Sequence, residues 1–207
     1  VKIAARLRTL CSILVLLLFG ACRPDAPNLW NGGRTIVCLG DSITAGVGAD
    51  PGRAYPDVLA QKLGAEVVNE GVSGDTAEEG LARIDRALAD EPWLVVVELG
   101  GNDILRQVPP EQTEAALRGV LDRVLAAHVV PLLVRIDVPF AGRYSEVFDR
   151  LEKDYKKVPV VEDALGDILT DPTLKSDTIH PNNAGHAKLA EAIADEIEPL
   201  LKARRKR

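Results

Sequence analysis

Methionine is missing from this 207-residue chain, and aromatic residues amount to only 4% of it. Whatever core it builds is therefore aliphatic, filled by Leu, Val and Ala. Basic residues do not outnumber acidic ones, and the net charge of −6 argues against nucleic acid as the principal partner. Cysteine is scarce. Cys11 and Cys22 fall near the start, so Cys38 stands alone in the rest of the chain and no disulfide framework is open to it, even in an oxidising compartment. Cys38 reads as a small buried hydrophobe. No internal repeat or low-complexity stretch is present. His128, at the end of a helical segment, and His186, early in the last one, belong to no cluster with metal-ligand spacing. The expectation is no metal and no cofactor, with His128 serving a helix dipole and His186 solvated. Gly46-Val47-Gly48 does not complete a dinucleotide fingerprint. Thr44 replaces the second glycine of a G-x-S-x-G elbow around Ser42, which disfavours the α/β-hydrolase fold.

What is present begins with a leader. Lys2, Arg6 and Arg8 precede an apolar run over residues 10–19, then Gly20-Ala21-Cys22 and a polar, Pro-rich stretch. This is the layout of a secretory signal, and the run is too short to span a bilayer. The small pair before Cys22 resembles a bacterial lipoprotein processing box, in which that cysteine becomes the lipidated N-terminus. Phe19 departs both from the aliphatic residue usual there and from the A-x-A pattern of ordinary cleavage. Residues 1–22 are thus expected to be a signal peptide of lipoprotein type, with Cys22 lipidated and the protein exported, periplasmic or envelope-attached. A retained anchor helix or a freely secreted enzyme is the alternative. Residues 23–33 read as a tether, 34–201 as one domain and 202–207 as a basic tail, either solvated and frayed or touching anionic lipid.

Hydrophobic content of 46% with 27% charged residues is ordinary globular composition, and the length allows a sizeable core. Strands are expected at 34–39, 66–69, 93–99, 129–138 and 158–161. The third is apolar almost throughout and so central; Pro159 puts the last at an edge. Helical spacing covers 54–63, stopping at Gly64, then 109–128, 145–156 and 184–201. Thr76, with Glu79 three places on, forms a capping box for a helix running through Ile84 to Leu88. Alternation of strands and helices predicts an α/β fold, a parallel sheet with helices on both faces and right-handed crossovers.

In such sheets ligands bind at the carboxyl ends of the strands. Four polar or glycine-rich segments fall there: Gly40-Asp41-Ser42, Ser73-Gly74-Asp75, Gly100-Gly101-Asn102-Asp103, and Asp177-Thr178-Ile179-His180-Pro181. A serine is unreactive without a base for its proton and donors for the oxyanion. Asp177 lies close enough to His180 in sequence to fix its tautomer and leave the other ring nitrogen facing a hydroxyl. The Ser42 and Gly74 N–H groups and the Asn102 amide offer three donors for one tetrahedral oxygen. Asp41 and Asp103 read as loop-bracing acceptors rather than catalysts.

These four blocks, in this order, resemble the SGNH (GDSL) hydrolase superfamily, and within it the bacterial thioesterase I, lysophospholipase and arylesterase group. The likeness covers roughly residues 34–200. It implies a three-layer α/β/α sandwich with a five-stranded, flavodoxin-like sheet in the order 2-1-3-4-5. It also implies Ser42 as nucleophile, His180 as base, Asp177 as its orienting carboxylate, and Ser42, Gly74 and Asn102 as oxyanion hole. Ile43 stands where the nickname has Leu. The segment after the fourth strand is shorter than in the thioesterases.

The expected activity is ester hydrolysis through an acyl-Ser42 intermediate, on a small ester or lysolipid, by a monomer. The residues following Asn102 lie where thioesterase relatives place a lip over the acyl chain. Ile104, Leu105 and Val108, with Phe140, are candidates for an apolar groove. Arg106 and Arg143 are either solvated charges or partners for a substrate anion. The rivals are a carbohydrate O-acetyl esterase of the cell envelope and a non-catalytic lipid- or glycan-binding lipoprotein.

Overall fold

A computed structural model describes residues 25–138 and 141–206. The expected signal peptide, Cys22 and Phe140 lie outside the described residues. Five strands form one parallel sheet: β1 (Ile36–Gly40), β2 (Val67–Gly71), β3 (Leu94–Glu98), β4 (Val130–Val134) and the two-residue β5 (Val160–Val161). Their order is β2-β1-β3-β4-β5, as the resemblance implies. β1, β3 and β4 are buried along their whole length. That is why they read as continuous apolar runs rather than alternating ones.

The helices are α1 (Ser42–Ala45), α2 (Tyr55–Leu63), α3 (Ala77–Ala82), α4 (Ile84–Leu88), α5 (Gly101–Arg106), α6 (Pro110–Ala126), α7 (Arg143–Asp154), α8 (Ala164–Thr170) and α9 (Asn183–Arg205). One group, α2, α8 and α9, packs together; α3, α6 and α7 form the other. The core between them is the expected aliphatic one, with Leu, Val and Ile from the strands meeting Leu117, Val120 and Val124 of α6 and Leu189, Ile193 and Ile197 of α9. Cys38 is buried in β1, and burial pushes its thiol up to about 12, so it stays unreactive at neutral pH. Among the described residues no helix is long and apolar enough to cross a membrane.

The Thr76–Glu79 capping box forms as expected. Other expectations need correction. The helix it opens breaks at Arg83, whose side chain turns inward to the sheet. β4 ends at Val134 rather than 138, because the two-residue β5 leaves no ladder partner beyond it. Three helices went unforeseen: the four-residue α1, α5, entered through Gly100 at φ +115, and α8.

Residues 25–33 are no free tether. Leu29 is buried, and the Asn28 and Asn31 side chains donate to carbonyls of Leu125, Val129, Trp93 and His128. Nor does the basic end fray: α9 continues to Arg205, and Arg204 donates to the carbonyls of Leu29, Asn31 and Gly33 while stacking over Trp93. His186 is not solvated but fully buried. Its Nδ1 accepts the Tyr55 N–H at 3.2 Å and its Nε2–H donates to the Val47 carbonyl at 3.2 Å. It pins the loop after α1 to α9, and burial lowers its pKa.

Candidate active site

Ser42 opens α1 directly after β1. At Gly40 a Cβ would lie 1.9 Å from Thr44 Oγ1, so only glycine lets the chain fold back this tightly. Asp41 caps α1, its Oδ1 accepting the Ile43 N–H at 2.9 Å. The Ser42 hydroxyl thus emerges at the carboxyl edge of the sheet.

His180 and Asp177 come from the segment before α9. Ser42 Oγ and His180 Nε2 are 3.0 Å apart, and His180 Nδ1 is 2.7 Å from Asp177 Oδ2. The other carboxylate oxygen of Asp177 accepts the N–H groups of Ile179 and His180, each at 2.9 Å. The His180 hydrogen bond, followed by that of Ile179, holds the Asp177 carboxyl down at about 2. An ionised Asp177 puts the ring proton on Nδ1 and turns the Nε2 lone pair to the serine. Asn182, as cap of α9, accepts from Ala184 and Gly185 and donates to Thr173 and Lys175 carbonyls, which stiffens the turn.

The three expected oxyanion donors are brought to the same edge. No acceptor among the described residues takes the N–H of Ser42 or of Gly74. Gly74 sits at φ +92, and its carbonyl is held by Arg106 Nη2 at 2.6 Å. Asn102 is differently placed. Its Nδ2 donates both to Asp41 Oδ2, at 2.9 Å, and to the Asp75 carbonyl, at 3.0 Å. Both amide hydrogens therefore already have acceptors.

The loops around these groups are tied from below. Asp103 is buried and accepts from the Ala77 N–H at 2.8 Å and Thr113 Oγ1 at 2.9 Å, a bracing acceptor as expected. Arg83 was not foreseen. It donates to Asp75 Oδ2 at 2.6 Å and to the carbonyls of Glu70 and Gly40, each at 2.8 Å, joining the ends of β1 and β2 to the Gly74 loop. Glu98, fully buried at the end of β3, accepts from Thr44 Oγ1 at 2.7 Å, and Thr44 also meets the Tyr55 hydroxyl. Burial first, then the neighbouring Asp41 carboxylate, pushes the Glu98 carboxyl well above the usual range.

Beside Ser42 opens a cleft. Ser42, Asn102 and His180 line its polar side. Its walls are Ile104 and Leu105 of α5, Ile136 and Val138 beyond β4, Leu165 and Leu169 of α8, and Ile179. Val108 is not among them. α5 ends at Arg106, Gln107 turns the chain away in the left-handed region, and the Val108 carbonyl accepts the Tyr144 hydroxyl instead. The α8 leucines were missed; Leu165, Ile168 and Leu169 are spaced as one helix face, but over only about two turns. Arg106 is engaged with Gly74 and Glu79, and Arg143 with Glu111. Among the described residues, no group of three or more His, Cys, Asp or Glu could hold a metal ion.

A parallel sheet in this order, with polar loops gathered at its carboxyl edge beside an apolar cleft, defines a class of flavodoxin-like hydrolases. Known proteins narrow the class. The model of the GDSL-like lipase/acylhydrolase family matches residues 38–188. The chain is 37% identical over 198 residues to the thioesterase 1/protease 1/lysophospholipase L1 of Escherichia coli K12, covering 91% of this chain and 90% of that protein. It is 35% identical over 182 residues to the esterase TesA of Pseudomonas aeruginosa, covering 81% and 90%. The structure of the psychrotrophic esterase EstA from a Pseudoalteromonas species, inhibited by monoethylphosphonate, superposes with a TM-score of 0.72 at 26% identity, over 82% of this chain and 99% of that one. The chain belongs to the GDSL-like lipase/acylhydrolase family of SGNH hydrolases. It is a carboxylic ester hydrolase acting on small-molecule esters.

Proposed function

We propose that the enzyme cleaves esters or thioesters of apolar acyl chains, lysolipids among them, through a covalent acyl-Ser42 intermediate. His180 takes the serine proton as Ser42 Oγ attacks the carbonyl carbon, and Asp177 stabilises the resulting imidazolium. The N–H groups of Ser42 and Gly74 and the Asn102 amide receive the oxyanion. His180 then protonates the leaving alcohol or thiol, and water repeats the sequence to release the acid. The observation that carries this reading is the unbroken Ser42–His180–Asp177 hydrogen-bond chain, at 3.0 and 2.7 Å, opening onto an apolar cleft. A cleft walled by Ile104, Leu105, Leu165 and Leu169 suits an acyl group larger than acetate. That favours acyl hydrolysis over carbohydrate deacetylation. Every proposed catalytic group comes from one chain, so the reading needs no second copy.

Export and attachment to the envelope through lipidated Cys22 belong to the same proposal, supported by the basic start, the apolar run over 10–19 and Gly20-Ala21-Cys22. The test of the catalytic reading is hydrolysis of an ester series of increasing acyl length, with Ser42→Ala as control. Activity that rises from acetyl to medium-chain esters and vanishes in the control is expected. A control that keeps full activity, or turnover of acetyl esters alone, contradicts it. For the anchor, metabolic labelling with a fatty-acid analogue is expected to mark the wild type and not Cys22→Ala.

A further inference from the structure

Asn102 has two amide hydrogens, and both are spoken for: one by Asp41 Oδ2 at 2.9 Å, the other by the Asp75 carbonyl at 3.0 Å. To receive an oxyanion, the amide must exchange one acceptor for the substrate oxygen. The two are unequal. Asp75 offers a neutral carbonyl on the loop that also carries Gly74. Asp41 offers a carboxylate whose other oxygen is fixed by the Ile43 N–H at the start of the nucleophile's own helix. A charge-assisted hydrogen bond is about twice as strong as a neutral one. The carbonyl is the partner that gives way.

We propose that Asp41 is a positioning residue: its carboxylate keeps hold of one Asn102 hydrogen while the other passes from the Asp75 carbonyl to the oxyanion. One side chain then sets both the Ser42 helix and the amide that answers it. The inference rests on the proposed oxyanion role of Asn102.

The surroundings suit this task. Glu98, Asp75, Asp103 and His180 are the titratable groups facing Asp41. Asp75 is paired with Arg83. Glu98 has one buried oxygen, Oε1, without a hydrogen-bond partner among the described residues, as suits a carboxyl held in its neutral form. Burial pushes Asp41 itself up to about 6, so it is ionised at pH 8. Positive charge arriving on His180 as it takes the serine proton favours that ionised form.

Asp41→Asn is a selective lesion. Its carbonyl oxygen can still accept the Ile43 N–H, but its amide then faces the Asn102 amide, donor against donor. With a medium-chain p-nitrophenyl ester at pH 8, Asp41→Asn is expected to lower kcat about 10- to 100-fold at nearly unchanged KM. That is part of the ~10²–10³-fold effect of deleting an oxyanion donor. Asn102→Ala is expected to show the full loss, and Asp41→Asn added to Asn102→Ala to cost nothing further, since one acts through the other. Asp41→Ser keeps a capping oxygen without reaching Asn102, and is expected to repeat the kcat loss should Asp41→Asn fold poorly. Losses that multiply in the double variant, or single Asp41 variants with unchanged kcat, overturn the positioning role. Asn102→Ala with full activity instead overturns the oxyanion reading beneath it.

Discussion

Ser42 stands between two unlike surroundings. On its solvent side, the Asp177–His180 pair is local in sequence and open to water; the Asp177 side chain is 52% exposed. On its inner side, Thr44, Glu98 and Tyr55 are buried and joined across α1, β3 and α2, and Asp41 is buried against Asn102. The open side can move protons without burying a new charge, because Asp177 faces solvent. The closed side fixes where the serine and its oxyanion donors stand, and burying polar groups there is tolerable only because most are hydrogen-bonded. Chemistry and scaffold are thereby separated by one residue.

The largest effect is expected on the open side. Ser42→Ala is expected to lower kcat by at least about 10³-fold, the scale for removing a serine nucleophile, with an unfolding midpoint within a few degrees of wild type by calorimetry. A comparable loss of fold would erase the distinction between the two sides.

His186 tests the closed side. Replacing it by Ala strands the Tyr55 N–H and the Val47 carbonyl and opens a cavity, an expected cost of about 2–4 kcal/mol in denaturant unfolding. Its pH dependence has a definite sign. The folded pKa lies below the unfolded reference of 6.5, so folding favours the neutral ring. The contribution is full above pH 6.5 and fades as pH falls through 6.5 toward the folded value. The wild type should lose stability across that window more steeply than His186→Phe, measured by urea titration at several pH values. Equal slopes would count against the buried, neutral role.

A smaller effect is expected at the cleft. Leu165→Phe fills part of the wall contributed by α8, and should reduce kcat/KM for long acyl esters about 10-fold while sparing acetyl esters. Equal losses on both would mean that the acyl chain lies elsewhere.

Legibility followed the same division. Asp177 and His180, three places apart, are a local pattern, and so are the Gly40-Asp41-Ser42 turn and the Thr76–Glu79 capping box. β1 and β3 declared themselves as continuous apolar runs, and the stripes of α6 and α9 by periodicity. Arg83, Glu98 and His186 did not, because what defines each is a partner far along the chain: Gly40, Thr44 and Val47. His186 sits early in a helix, where solvent is the ordinary expectation, and only the packing of the loop after α1 buries it. Arg204 was hidden likewise, since a run of basic residues reads as a solvated end until the carbonyls of Leu29 and Gly33 are seen to meet it. Short helices escaped for a different reason. α5 begins at glycines that signal a turn, and α8 has seven residues, too few for its period to stand out.

In the proposed mechanism Ser42 carries the acyl group. Its most direct test is intact-protein mass spectrometry with peptide mapping after brief reaction with an alkyl fluorophosphonate bearing a medium-length chain. One adduct is expected, on the peptide containing Ser42, absent in Ser42→Ala and formed far more slowly in His180→Ala. Labelling that persists in Ser42→Ala, or an adduct mapping to any other residue, would contradict it.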